Sequence, residues 1–319
     1  MLVTGGAGFI GSHLAERLRD DGHEVRILDN FSTGRRGNLS HLLDDVEIVE
    51  GDIQSYERVH NAVAGCELVF HQAALPSVPR SLQDPLTSNA SNVIGTLNVL
   101  LAARDSGVRR VVFASSSSVY GADRTLPKEE HLAPLPISPY AVTKLAGEGY
   151  CRTFSAVYDL ETVALRYFNV FGPRQDPTSQ YSAVIPNFIT AFLEGRRPTV
   201  FGDGEQSRDF TFVSNIVDAN LLAAEASEVV GNVYNIACGE RISLNRLLET
   251  LRELTDKDIE AIYEPERTGD VRDSLAALDR AQTALSYRPS VSFRDGLDRT
   301  IATFDRTAAA EPPKAPSSV

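Results

Sequence analysis

The seven residues GGAGFIG at positions 5–11 constrain this chain most, because Gly5, Gly8 and Gly11 follow an apolar strand directly and open a helix through Ser12, Leu14 and Leu18. A turn without Cβ atoms lets the backbone approach a pyrophosphate, whose charge then rests on unpaired N–H groups at the helix start. Gly5, Gly8, Phe9, Ile10 and Gly11 are therefore candidate cofactor residues. Eighteen residues beyond Gly11 the second strand ends in Asp29. A carboxylate there would accept hydrogen bonds from the adenosine ribose and repel a ribose 2′-phosphate, which favours NAD over NADP. Arg35 and Arg36 nearby weigh against that preference. Gly-Asp-Ile at 51–53 closes the third strand, setting Asp52 against the adenine amine. Asn30 and Ile53 join the candidate cofactor residues.

The rest of the first half supports this start. Short β-branched runs at 2–4, 24–28, 46–49, 68–70, 111–114 and 162–166 alternate with helix-length segments. Near-continuous apolar strands between amphipathic helices require a parallel sheet covered on both faces. After Asn169 the pattern is broken by Pro173, Pro177, Pro186, Pro198 and the Gly202 to Gly204 turn, before helices near 214–227, 242–255 and 291–306. We expect a cofactor domain over 1–169 with later helical returns, a substrate lobe mainly over 170–307, and a disordered tail at 308–319.

Composition narrows the partners. The 31 Lys and Arg against 43 Asp and Glu give a net charge of −12, which repels nucleic acid and anionic membrane. Any anionic ligand must be held by local features. Cys66, Cys151 and Cys238 lie far apart, with no ligand spacing for a metal, and read as reduced thiols of a cytoplasmic protein. No basic and apolar leader precedes the first strand, and no stretch approaches a membrane span. Lysines number 4 against 27 arginines, which makes each lysine worth attention.

One of them stands in SPYAVTK at 138–144, where Ser138 caps a helix and Pro139 enters its first turn. Tyr140 and Lys144 are four residues apart and project from one helical face. A phenol is a poor base near neutral pH unless neighbouring positive charge, from the ammonium and from a nicotinamide, lowers its pKa. Upstream, ASSSSVYG at 114–121 ends the fifth strand, at the sheet edge where open α/β folds bind ligands.

With these motifs in place the chain resembles the extended short-chain dehydrogenase/reductase superfamily and, within it, the UDP-sugar 4-epimerases. HQAALPSVPRS at 71–81, RYFNVFGPRQDP at 166–177, AVIP at 183–186, FGDGEQSRDF at 201–210 and ERTGDVRDS at 266–274 carry the likeness over residues 1–306. The first and third of these look most like the branch that accepts N-acetylated UDP-hexoses. The resemblance implies an α/β fold, a Rossmann-type doubly wound parallel sheet with a smaller C-terminal α/β substrate lobe, and NAD as cofactor. It also implies a homodimer through helices near 84–105 and 137–157.

Counting back from VYG, the resemblance puts the hydroxyl partner of Tyr140 on Ser116, with Ser115 and Ser117 one register step away. Lys144 would also hold the nicotinamide ribose. Asn92, in the helix carrying NVIGT, would be an amide near the active site and cofactor. Asn169 would meet the diphosphate, Arg208 and Arg267 would clamp it, Asp270 would meet the uridine ribose, and Phe201 with the backbone from Val184 would hold uracil. Ser274 falls where a sugar-pocket gatekeeper stands. The Asp-Glu pair of the 4,6-dehydratases is replaced here by Ser117 and Ser118, and the decarboxylase glutamate by Ser118. Neither chemistry has its acid and base. Pro76 stands where many galactose epimerases carry a lysine. The reading that remains is C4 epimerisation of a UDP-hexose, with UDP-glucuronate epimerisation, a net NAD-dependent oxidation or a dinucleotide-sensing protein as rivals.

Overall fold

A computed structural model describes residues 1–176, 184–266 and 272–310. Six strands arise from the apolar runs of the first half: β1 (Leu2–Thr4), β2 (Arg26–Asp29), β3 (Glu47–Glu50), β4 (Leu68–His71), β5 (Arg110–Ser116) and β6 (Glu161–Tyr167). Short strands β7 (Val170–Phe171), β8 (Thr199–Phe201), β9 (Ser207–Arg208) and β10 (Thr211–Phe212) follow, then β11 (Asn232–Ile236), β12 (Ile242–Ser243) and β13 (Ile262–Glu264). The main sheet has seven parallel strands in the order β11-β6-β5-β4-β1-β2-β3.

Helices α1 (Phe9–Asp20), α2 (Tyr56–Val63), α3 (Val78–Gln83), α4 (Pro85–Asn89), α5 (Gly95–Asp105) and α6 (Pro139–Val157) belong to the first half. They are followed by α7 (Val184–Leu193), α8 (Val213–Glu225), α9 (Leu244–Thr255), α10 (Asp279–Ala284) and α11 (Phe293–Ala310). Successive strand residues point to opposite faces, and both faces are covered. Val3, Ile27, Phe70 and Val112 pack beneath α1 and α8 with Leu14, Leu18 and Ile216. Leu2, Leu28, Val69 and Val111 pack beneath α2, α5 and α6 with Val59, Leu100 and Phe154. Each such fully buried side chain contributes about 1.5–3 kcal/mol, so the sheet cannot slip by one residue without exchanging two cores.

The architecture is the α/β, doubly wound parallel sheet that the alternation of runs requires. The second lobe packs α7, α9 and α11 around a cluster containing Phe171, Phe188, Phe210, Phe212 and Phe293. Its division from the first lobe is less simple than a cut at residue 169. Not only a helix returns: β11 pairs with β6 as the seventh strand of the main sheet, and α8 covers its face. Helix α11 continues to Ala310, past the expected boundary at 307, and residues 311–319 lie outside the described residues. Among the described residues no helix is long and apolar enough to cross a membrane.

Candidate active site

Strand β1 lies between β2 and β4, and the chain leaves them in opposite directions, so a crevice opens at their carboxyl ends. A cavity of about 1170 Å³ occupies it, walled by Gly5, Gly8, Phe9, Ile10, Gly11, Asp29 and, at the far end, Ser116, Tyr140, Lys144 and Ser274. A second cavity of about 740 Å³ meets it at Asn169, Val170 and Arg208.

The first cavity fits a dinucleotide for steric reasons. Gly5 has φ +69°, and a Cβ there would stand 2.7 Å from the Ala73 backbone. A Cβ on Gly11 would stand 2.2 Å from the Gly5 carbonyl oxygen. Helix α1 begins after Gly8 with no side-chain cap. Its first internal bond runs from the Ser12 N–H to the Gly8 carbonyl at 3.1 Å, leaving the N–H groups of Phe9, Ile10 and Gly11 for an anion.

Asp29 is buried at the end of β2, accepting from the Ala7 N–H at 2.9 Å and the Phe31 N–H at 2.8 Å. Burial pushes its pKa above the ordinary carboxylate value, against these two bonds, which lower it. The guanidiniums nearby are already engaged by acids. Arg35 pairs with Asp176, and Arg36 pairs with Glu50 while lying 4.0 Å over the Phe31 ring. Asp52 does not reach the cavity wall, which is formed by Gly51, Ile53 and Asn30. Its carboxylate accepts from Asn30 Nδ2 and the Gln54 N–H, each at 2.8 Å, so it braces the strand end.

Asn92 also stands behind the wall. It lies in a π-helical turn over Ala90–Ile94, a form that recurs at functional sites. Its Oδ1 accepts from the Leu75 N–H at 2.8 Å, and its Nδ2 donates to the Leu75 carbonyl and to Thr143 Oγ1 at 3.2 and 3.1 Å. The Asn92 amide thus fixes the HQAALP loop to α6. Beneath it, Thr96 Oγ1 donates to the Asn92 carbonyl at 2.7 Å, so it must accept from His71 Nε2 at 2.9 Å. Nδ1 of His71 then accepts from Thr4 Oγ1 at 2.7 Å. This wholly buried ring is neutral, its pKa pushed down to about 3 by burial and then by the Lys144 charge.

At the reactive end, Ser138 Oγ accepts from the Ala141 N–H at 3.2 Å and Pro139 opens α6, as the motif requires. Tyr140 and Ser116 line the same end of the cavity, where the serine hydroxyl acts to lower the phenol pKa. Ser115 is turned instead toward Glu148, to which it donates at 2.5 Å. Lys144 Nζ donates to the Ala114 carbonyl at 2.7 Å and lies 6.0 Å from the Tyr140 ring centre. The expected lowering of the phenol pKa is therefore not supplied by the protein alone. Burial pushes Tyr140 up to about 12, against the opposing effect of the Ser116 hydroxyl, and pushes Lys144 down to about 8.

Toward the second lobe, Asn169 has φ +35° and its Nδ2 donates to the Asp209 carbonyl at 3.3 Å and to Ser274 Oγ at 3.4 Å. Arg208 borders both cavities, and Val184 and Phe201 line the second beside Phe188 and Phe210. Arg267 and Asp270 lie outside the described residues. Among the wall residues are Arg272 and Lys128, to which the sequence reading gave no role, and Ser118, which it named only as a replacement for an acid. Arg272 borders the second cavity, held by Asp203 and Glu266. Lys128, buried, borders the first and donates to the Asp123 carbonyl and Oδ1 at 2.5 and 2.7 Å. Ser118 Oγ, on the same wall, is buried without a partner among the described residues. The scarcity of lysine was the one signal that could have drawn attention to Lys128.

Comparison with known proteins agrees with this geometry. Residues 1–237 match the family model described as the NAD dependent epimerase/dehydratase family. The chain is 39% identical over 307 residues to a UDP-glucose 4-epimerase of Mycolicibacterium smegmatis, covering 95% of this chain and 97% of that one. It superposes with TM-score 0.92 and 41% identity on a UDP-N-acetylglucosamine 4-epimerase of Methanobrevibacter ruminantium in complex with UDP-N-acetylmuramic acid, covering 96% and 98% of the two chains. A UDP-glucose 4-epimerase of Thermotoga maritima with UDP-glucose gives TM-score 0.91 and 38% identity over 96% and 99%. With a glycine turn shaped for a dinucleotide and a tyrosine, lysine and serine gathered beside it, this chain belongs to the NAD-dependent epimerase/dehydratase family and is an NAD-using isomerase of its UDP-sugar 4-epimerase group.

Proposed function

We propose that the protein interconverts UDP-N-acetylglucosamine and UDP-N-acetylgalactosamine, and also accepts UDP-glucose and UDP-galactose. The observation that carries this reading is Ser274, a small side chain on the cavity wall shared with Tyr140 and Ser116. A 2-acetamido group has room there while the sugar turns, where a large ring would exclude it. The similar enzyme of M. ruminantium, seen with an N-acetylated UDP-sugar, supports the same choice.

In this mechanism the N–H groups at the start of α1 would hold the pyrophosphate of NAD, Asp29 the adenosine ribose and Lys144 the nicotinamide ribose. NAD supplies the hydride acceptor at sugar C4 and a positive charge beside the phenol. Tyr140, which burial keeps protonated in the free protein, becomes a base as that charge adds to the Lys144 ammonium. Its oxygen then takes the proton of the sugar 4-hydroxyl, with Ser116 orienting it. Arg208 and Asn169 would grip the diphosphate and leave the 4-keto sugar free to present either face. Tyr140 returns the proton, and the net redox change is zero.

A second reading, a UDP-glucuronate 4-epimerase, draws support from the Lys128 ammonium and the unpartnered Ser118 hydroxyl on the cavity wall. Incubating the NAD-loaded enzyme with each UDP-sugar and resolving the C4 epimers decides between them. Turnover of UDP-glucuronate alone would replace the first reading. We further propose a cytoplasmic homodimer formed through α3 to α6, where Leu82, Leu86, Ile94 and Val142 are exposed. Sedimentation would reveal a monomer if that is wrong.

A further inference from the structure

We propose that Glu148 is a positioning residue for the proton relay, acting through Ser115 and Lys144, with Arg166 as its fixed counter-charge. The proposal rests on the roles given above to Tyr140, Lys144 and Ser116.

Helix α6 meets the end of β5 at three successive residues, and it does so at intervals of four along its own length. Tyr140 stands beside Ser116 on the cavity wall, Lys144 Nζ donates to the Ala114 carbonyl at 2.7 Å, and Glu148 Oε1 accepts from Ser115 Oγ at 2.5 Å. Side chains four apart stack on one helical face, so the catalytic pair and Glu148 form one row. Glu148 closes that row. It pins the residue between the two that serve Lys144 and Tyr140.

The carboxylate is held at both of its oxygens. Arg166 Nε and Nη2 donate to Oε1 and Oε2 at 2.8 and 2.7 Å, and both side chains are almost wholly buried, at 4% and 5% exposure. The guanidinium lies 4.7 Å over the Tyr120 ring, and its Nη1 has no partner among the described residues. A buried pair of this kind adds little stability over apolar side chains of the same volume, so stability is a weak reason for it. What it provides is a fixed negative charge one helical turn from Lys144.

The other groups facing that ammonium do not supply one. Tyr140 and Cys151 on α6 are both pushed toward their neutral forms by burial, His71 on β4 is neutral, and β5 offers the Ala114 carbonyl and the Phe113 ring at 5.0 Å. Burial drives Lys144 toward losing its proton; Cys151 and then Glu148 oppose it, and of the two Glu148 carries the ion pair. The enzyme needs the charged form to hold the nicotinamide ribose and to favour the phenolate.

The test compares wild type, Glu148→Gln, and Glu148→Gln with Arg166→Met, which removes both charges and spares the guanidinium from standing unpaired. NAD affinity and UDP-sugar turnover are each measured against pH. In the variants kcat should fall about tenfold with KM for the UDP-sugar unchanged. The pH at which NAD affinity falls on the alkaline side should move down by about one unit, because Lys144 gives up its proton more readily. A folded double variant with the wild-type pH dependence of NAD affinity overturns the proposal, as does a loss of turnover equal at every pH. If the single variant fails to fold, the double variant decides. Tyr140→Phe serves as the control on the underlying reading. Full turnover in that control refutes the assignment of the base, whereas an inactive control beside an unshifted double variant refutes only the role of Glu148.

Discussion

Asp29 reaches from the end of β2 to accept the Ala7 N–H of the glycine turn at 2.9 Å. The carboxylate therefore shapes the turn as well as lining the cavity. Asp29→Ala should weaken NAD relative to NADP by about tenfold to a hundredfold, the equivalent of one charge-assisted hydrogen bond of roughly 1.5–3 kcal/mol. It should also lower the melting temperature of the cofactor-free protein, which a residue serving only the ribose would not do. Titration with both cofactors and a melt without either separate the two effects.

Tyr140→Phe removes one oxygen from the reactive end and nothing from the cofactor half. Turnover should drop by about a hundredfold or more, the scale of a lost acid–base group, with NAD still bound. Lys144→Met should lower NAD affinity as well as rate, because the same ammonium serves both. If Lys144→Met changed only thermal stability, its place in the reaction would be wrong.

Ser274 Oγ sits 3.4 Å from Asn169 Nδ2, beside the place where the two cavities meet. Ser274→Tyr should reduce kcat/KM for UDP-N-acetylglucosamine about tenfold to a hundredfold and spare UDP-glucose, since a ring there excludes only the bulkier sugar. Equal losses on both substrates would mean general damage to the loop. An unchanged ratio would remove Ser274 from the pocket.

His71 makes the fold sensitive to acid. Its folded pKa of about 3 lies below the usual 6.5, so the stability tied to its neutral form is complete above pH 6.5 and is lost as pH falls toward 3. By pH 4 the loss should reach about 3 kcal/mol. In His71→Gln this dependence should flatten, because nothing at that position takes up a proton. Denaturant unfolding of both proteins between pH 7 and pH 4 measures it, and parallel curves would refute the assignment.

The strands of the first half were legible because burial on both faces leaves near-continuous apolar runs, and all six were placed to within two residues at their starts and ends. β5 was underestimated, because its last residues, Ser115 and Ser116, are polar for the sake of the site they form. β11 was missed for another reason. Nothing in Asn232–Ile236 itself says which sheet it joins, and its pairing with β6 is a contact across more than sixty residues of chain. The glycine turn and the Tyr140–Lys144 row were visible because each depends on local spacing. Lys128, Arg272 and Glu148 were not, since their positions on the walls and beneath them come from segments that meet only after folding. Asp52 and Asn92 were placed near the cofactor by their neighbours, yet their hydrogen bonds turn them toward the scaffold.

The return of β11 and α8 to the main sheet has a mechanical consequence. A fragment ending at Asn169 would leave β6 as an open edge and strip α1 of the helix packed beside it, so it would present an aggregation-prone border instead of an independent nucleotide-binding module. The two lobes are stitched by a chain that passes between them repeatedly, and Asn169, Arg208 and Ser274 lie where those stitches cross. Such a joint resists wide clamshell opening, so under the mechanism proposed above the sugar would turn inside a cavity whose walls hold still.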